Sequence, residues 1–594
     1  YWRYFMWNFS GRQNDIQGYG DIMHGNWITG IKFLDELRLG NQDELPDNLK
    51  NEKANNKYYM LPFLLGLLGM FYQYRKGKTG KQDFWVVMLL FIMTGIAIIV
   101  FLNQTPMEPR ERDYAYAGSF YAYAIWIGLG VLSIWEFLNK KIKNIDPRVS
   151  AIAVTTVCLF AIPVNMAAQN WDDHNRHARY ATTAHARNYL NSCAPNAILF
   201  TYGDNDTFPL WYVQEVEGVR RDVRVVNLSL LSGSWYIDQM KRKAYESSGV
   251  PISFTHEQYR DGKRDYVLIR DQFKEGNLKD VMEFVASDLP QTKLQGYIKE
   301  LDFIPTRNVI LPVDSAKVIA NGTVKPQDAD QIVKDLRLHL PMQGLTKSQL
   351  MVLDILSTNN WERPVYFGIG MGSDAYMGLE KYFQLEGAAY RVVPIETKEA
   401  EFYDYGRIDS DILYDNIMNK FEWGNIKDPK VNIDFFHDQT IAVMKYRNTF
   451  LRLAQKLYDE GKQAEAVAVL DKSLEEIPLY QVPADNSMLF YIPMYYELGE
   501  TEKANHLLNE LATNNYQMLK YANSLEPKFA NTPSIQQEER LSIEVIKQLL
   551  AFATQAGQKE LAQELQDKVL RLYNPSHISP DKPLMKDTAD KAGK

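Results

Sequence analysis

Apolar residues crowd into the first 170 positions of the chain, in four runs at 58–74, 84–102, 120–138 and 151–168. Each run is apolar all round. FWVVMLLFIMTGIAIIVFL, at 84–102, holds no charge and no polar stripe, whereas a helix of a water-soluble core keeps one wet face. At about 1.5 Å of rise per residue such runs approach the ~30 Å of bilayer hydrocarbon, so the pattern predicts four transmembrane helices. The connectors predict their direction. Arg75, Lys76, Lys78 and Lys81 follow the first run, and Lys140, Lys141, Lys143 and Arg148 follow the third, which places both connectors in the cytoplasm. The loop NQTPMEPRERDYAYAGS balances two Arg against two Glu and one Asp. It is expected on the opposite side, with residues 1–57 and everything after 168.

Beyond the last run the texture becomes polar. NWDDHNRHARYATTAHARNYLNS predicts a juxtamembrane helix at 169–190 carrying Arg176, Arg179 and Arg187. It either engages anionic headgroups or substrate phosphates, or is a solvated helix leaving the bilayer. His174 and His177 are three apart but lack an HExxH carboxylate, and no metal site is expected there. A β-α-β rhythm follows: the apolar stretch 197–202, a turn GDNDTFP, a helical PLWYVQEVEG and a strand-like VRVVNLSLL. Continuous apolar strands separated by a helix imply a parallel sheet covered on both faces. Further strands are predicted at 308–312, 364–368 and 390–394, and a helix at 346–355, giving a soluble α/β domain over 191–430. Ligands of such sheets sit at the carboxyl ends of strands. Asp204 and Asp206 stand there, as candidates for a cation, sugar hydroxyls or an acceptor peptide. Alternatively, Asp206 caps the following helix and Asp204 closes an Asx-turn.

From 431 to 575 the pattern turns helical. FLRLAQKLYDEGKQAEAVAVLDKSLEEIP has apolar residues at helical spacing, a turn at Gly461, small Ala464 and Ala466 and a stop at Pro478, close to a tetratricopeptide hairpin. Related turns recur at Gly499 and Gly557, with an inserted helix expected near 516–525. Stacked hairpins of this kind bind protein or cover a neighbouring domain. The tail at 576–594, rich in Lys, Asp and Pro, is expected to be disordered.

Composition alters this picture little. A chain of 594 residues is too long for one core, and its net charge of −8 argues against a nucleic-acid partner. Cys158 lies in an apolar run and Cys193 in a polar one, so no disulfide is expected. The opening YWRYFMWNF has no basic n-region, and the start reads as a truncation.

Three motifs, WNFSGRQNDIQG, TPMEPRERDYAYAGSFYAYAIWIG and NAILFTYGDNDTFPLWYVQEV, resemble a family of large Bacteroidetes-type polytopic membrane proteins formerly of unknown function, related to an animal protein O-mannosyltransferase. The resemblance implies the C-terminal portion of a GT-C-like glycosyltransferase in a bacterial inner membrane, multi-pass, with its C-terminal soluble region in the periplasm. Its donor would be a polyprenyl-phosphate-linked sugar and its acceptor a protein or glycan; the one cofactor such a site would take is a divalent cation. In such enzymes the catalytic carboxylate lies in the first external loop, which this chain does not contain, so the catalytic residue stays unassigned. Inverting transfer also needs cations to stabilise the departing phosphate. Arg110, Arg112 and Arg12 are the candidates for gripping it, with Glu108, Glu111, Asp113 and Asp15 as polar companions. The same charges also suit an internal salt-bridge cluster that rigidifies the loop. The rival function is a non-enzymatic membrane-anchored scaffold that recruits envelope proteins through its helical repeats. A transporter fits poorly, because no predicted span carries a charge near its middle.

Overall fold

The computed structural model describes residues 1–103, 112–142, 145–294, 301–397, 405–434 and 444–573. The chain divides into two compact units, Tyr1–His177 with Pro483–Lys594, and Ala178–Val482.

In the first unit three helices are long and apolar enough to cross a membrane, Gly77–Leu102, Tyr114–Lys141 and Pro147–Asn170. Their apolar side chains face outward: Val100 is 75% and Phe101 84% exposed, with Trp85, Val86 and Leu89 alongside. A band of this kind is compatible with lipid and not with water, and the protein is membrane-associated. The first expected span is shorter than its run of apolar residues. Tyr59 and Met60 adopt φ of 55° and 56°, which starts the helix only at Leu61. Leu61–Tyr74 has 14 residues and is therefore about 21 Å long. It packs closely on Ala117–Lys141 through glycines. A Cβ added to Gly69 would lie 1.8 Å from the Trp126 carbonyl oxygen, and one on Gly130 would lie 2.2 Å from that of Leu65, so bare backbone is what lets the two helices touch. Trp126 Nε1 donates to Gln73 Oε1 at 2.7 Å across this contact. The aromatic opening of the chain folds as the helix Trp2–Phe9, whose Phe5 and Phe9 rings each lie 4.8 Å from Tyr123.

The helices Met488–Glu497, Thr501–Ser524, Pro533–Gln555 and Lys559–Tyr573 complete this unit. The helix expected near 516–525 is no insertion but the continuation of Thr501–Ser524. Its last turns, with Met518, Tyr521 and Ala522, bury Met23, Leu45 and Leu49 in one cluster. Residues 576–594 lie outside the described residues.

The second unit is built on a six-stranded sheet in the order Arg407–Ile408, Phe383–Leu385, Ala389–Val392, Val365–Gly368, Ile198–Thr201, Arg224–Asn227. Ile198–Thr201 runs parallel to both neighbours, as the β-α-β rhythm predicts. Ala389–Val392 is antiparallel to Val365–Gly368 and to Phe383–Leu385, so the sheet is mixed. The strand at Asn308–Pro312 joins a different, three-stranded sheet with Asp335–His339 and Gly276–Asn277. Its residues alternate between buried and partly or fully exposed, and such a strand cannot stand inside a sheet covered on both faces. Helix Lys347–Asn359 is capped by Thr346 and Gln349 and buries Leu350, Met351, Leu353 and Ile355. The helices Met444–Asp459 and Gln463–Glu476 form a hairpin turned at Gly461, where φ is 76°.

Candidate functional site

The carboxyl end of strand Ile198–Thr201 opens directly into a helix. Gly203, at φ 79°, reverses the chain, and the helix Asp204–Glu215 starts at once, with Pro209 inside it. GDNDTFP is therefore helical and not a turn, and neither aspartate makes a side-chain cap. Two residues along a helix differ by about 200° around its axis. Asp204 is accordingly exposed and Asp206 buried, although both stand in the first turn, where the helix field favours carboxylates. Asp206 Oδ1 lies 3.7 Å from Lys445 Nζ. Burial pushes the Asp206 carboxyl above its ordinary value, and Lys445 pulls it back.

Around this pair stand groups that sequence spacing does not single out. His185 is hydrogen-bonded through Nδ1 to the Tyr446 hydroxyl at 2.9 Å. Burial, and then the charge of Lys445, holds its imidazole down at about 3, so it is neutral at ordinary pH. His185 Nε2 and the Tyr189 hydroxyl are buried without hydrogen-bond partners among the described residues. Glycines make room here: a Cβ on Gly368 would meet the Tyr189 hydroxyl at 1.7 Å, and one on Gly370 would meet Lys445 Nζ at 2.2 Å. Thr201, Thr207 and Asn227 close the strand mouth, Asn227 Nδ2 donating to Thr207 Oγ1 at 2.8 Å. The chemistry present is a buried carboxylate paired with a half-buried ammonium, beside a neutral imidazole.

A second polar cluster lies in the first unit, at the end of helix Pro147–Asn170. Gly11–Arg12 pairs antiparallel with Asn56–Lys57. Arg12 forms an ion pair with Asp173, and its Nε donates to the Ala54 carbonyl at 3.3 Å. Asn56 Nδ2 donates to Asn170 Oδ1 at 3.0 Å and to Asp173 Oδ2 at 3.3 Å; Asn170 Nδ2 donates to the Tyr58 hydroxyl at 2.6 Å. The backbone N–H of Asp15 donates to Glu52 Oε2 at 3.3 Å, and Asp15 Oδ1 is buried without a partner among the described residues. Burial first, and the negative charge of Asp15 second, push the Glu52 carboxyl up to about 8. Sequence spacing singles out neither Glu52 nor Asp173.

Of the loop candidates, Glu108, Arg110 and Glu111 lie outside the described residues, as does the side chain of Asp113, and Arg112 is exposed. Residues 171–180 form turns and not the expected continuous helix, which is confined to Ala181–Asn191. Arg179 pairs with Asp434, and Arg187 with Glu217 and Glu422 at 2.8 and 2.6 Å. Among the described residues no group of three or more His, Cys, Asp or Glu is arranged to hold a metal.

No curated protein and no solved structure matches the chain. Residues 182–412, which span most of the second unit, match the family model of the TMEM260-associated domain 2.

Proposed function

We propose that the chain is part of a membrane glycosyltransferase, GT-C-like and O-mannosyltransferase-like, that moves a sugar from a polyprenyl-phosphate donor to a protein or glycan acceptor outside the cytoplasm. The observation that carries this reading is the placement of the Arg12–Asp173 cluster at the very end of an apolar helix long enough to span a bilayer. A lipid-linked phosphate rests at that depth, and an arginine there suits it. The match to a TMEM260-associated domain agrees with the O-mannosyltransferase resemblance of the sequence motifs.

In this reading Arg12, with Arg110 and Arg112, binds the donor phosphate, Arg12 exchanging the Asp173 carboxylate for phosphate oxygens. The sugar C1–O bond breaks toward the lipid phosphate, which leaves with the electron pair. The acceptor hydroxyl forms the new bond and gives its proton to a carboxylate base, the residue for which stays unassigned. Leu61–Tyr74 serves as a fourth span, thinning the bilayer locally to suit its length, and the basic connectors keep the soluble region in the periplasm of a bacterial inner membrane. Asp204 is left for an acceptor or a cation.

The test is transfer of labelled sugar from a polyprenyl-phosphate donor by membranes carrying the full-length protein. Arg12→Ala, Arg110→Ala and Arg112→Ala are each expected to lower the rate by about tenfold or more. Wild-type rates in all three variants would remove the phosphate role.

A further inference from the structure

The terminal strand of the six-stranded sheet, Arg224–Asn227, borders a cavity of about 620 Å³. That volume is in the range of small-molecule sites. Its walls come from helix Asp204–Glu215, helix Ser234–Met240 and the segment 242–247.

Two properties set it apart. The first is an aromatic lining that is largely unburied. Phe208 and Trp211 stack at 5.3 Å with 24° between their planes, and Phe208, Trp235 and Tyr245 are 48%, 59% and 51% exposed. The second is an excess of positive charge. Arg221, Arg224, Arg242 and Lys243 line the cavity against one carboxylate, Glu215, and the Glu215 carboxylate already accepts the Tyr245 hydroxyl. Arg221 is paired with Glu246 at 3.0 Å.

Arg224 is the central residue. It is 7% exposed, its Nη2 donates to the Gln239 carbonyl at 2.8 Å, and its Nε is buried without a hydrogen-bond partner among the described residues. No carboxylate pairs with it among the described residues. A second buried guanidinium, Arg363, stands close enough for the charges to oppose each other: burial first, and Arg224 second, hold Arg363 at about 10. Arg363 spends its N–H groups on the carbonyls of Asn196, Ala197, Ser248 and Gly249 and on Ser247 Oγ, so it offers Arg224 no relief. Glu215 and Tyr236 offset the burial of Arg224 only in part; a buried cation without a paired anion is costly, and an anion entering from the cavity would lower that cost. Aromatic faces beside it suit the apolar C–H face of a sugar ring.

We propose that this cavity is a binding site for a saccharide carrying one anionic group, phosphate or carboxylate, with the anion on Arg224 and the ring against Trp211 and Trp235. The site stands on its own geometry and does not depend on the transferase reading. Binding and not transfer is the readout, so either reading can fail while the other holds.

The test is calorimetric titration of the detergent-solubilised full-length protein with glucose 6-phosphate, glucuronate, glucose and inorganic phosphate. A parallel arm uses nanodiscs with and without a polyprenyl-phosphate sugar, to separate a soluble from a lipid-borne ligand. Saturable binding of glucose 6-phosphate or glucuronate is expected, with glucose and inorganic phosphate weaker by about tenfold or more. Trp235→Ala and the double variant Arg242→Ser/Lys243→Ser change exposed side chains and should fold normally. Trp235→Ala is expected to weaken binding about tenfold, the double variant severalfold, and Arg224→Met to abolish it. If neither anionic sugar binds in either arm, or if Trp235→Ala and the double variant both bind like the wild type, the proposal is overturned.

Discussion

Replacement of Glu52 by glutamine tests the carboxyl pair of the N-terminal segment. Ordinarily such a carboxyl has a value of 4.5, and in the folded protein burial and Asp15 raise it to about 8. Between those limits the folded state retains a proton that the unfolded chain has released. Stability then falls as pH rises, because the folded state binds more protons. The contribution is fully present below 4.5 and is lost as pH climbs through about 8. At about 1.4 kcal/mol per pH unit, the rise from 4.5 to 7 withdraws roughly 3 kcal/mol. Glutamine keeps the shape, can accept the Asp15 N–H and can donate to the Asp15 carboxylate as the protonated acid does, but it does not titrate. Glu52→Gln is thus expected to match the wild type near pH 5 and to exceed it by roughly 3–4 kcal/mol near pH 8. Since the chain has two units, a global midpoint would blur the effect. Hydrogen exchange of peptides from 10–57, in detergent between pH 5 and 8.5 and corrected for intrinsic rates, reads the local opening energy instead. Parallel pH profiles for the two proteins would refute the raised Glu52 carboxyl.

Two further outcomes follow from packing and burial. Gly69→Ala places a methyl within 1.8 Å of the Trp126 carbonyl oxygen, and should cost about 2–3 kcal/mol, seen as a lower thermal midpoint in detergent; an unchanged midpoint would deny the close helix contact. Arg363→Met strands the carbonyls of Asn196 and Gly249, while those of Ala197 and Ser248 keep the Arg224 N–H and the Ser247 hydroxyl, and should destabilise the second unit by about 2–4 kcal/mol, measured by urea unfolding with peptides from 182–412 followed by hydrogen exchange.

Local pattern decided what could be read before the structure. The apolar runs at 84–102 and 120–138 are uniform enough that no tertiary knowledge is needed to see membrane-length helices. The shortened first helix is different, since it depends on positive φ at Tyr59 and Met60, and neither residue type announces that conformation. Strands 198–201, 224–227 and 365–368 are legible because they are buried along their whole length. Sheet membership is harder. The alternation at 308–312 does carry the information that it lies elsewhere, but only once the order of apolar and polar residues is weighed above their number. Pairings of charge were not legible at all: Arg12 meets a partner 161 residues away, and Asp15 one 37 away. Spacing rules describe neighbours on one element, and these partners come from different ones.

Arg224 is the instructive exception, because its signal was visible. In VRVVNLSLL it is the one charge in an otherwise apolar strand. On a terminal strand such a charge has a familiar purpose, which is to spoil edge-to-edge pairing with another sheet. That purpose requires the charge to reach water, and at 7% exposure Arg224 does not. Nor is the strand's edge bare, since the Asn227 N–H donates to the Tyr236 hydroxyl at 2.9 Å. Protection of the edge therefore leaves the buried guanidinium unexplained, whereas an anionic ligand in the adjoining cavity accounts for its depth and for the cations around the rim by one cause.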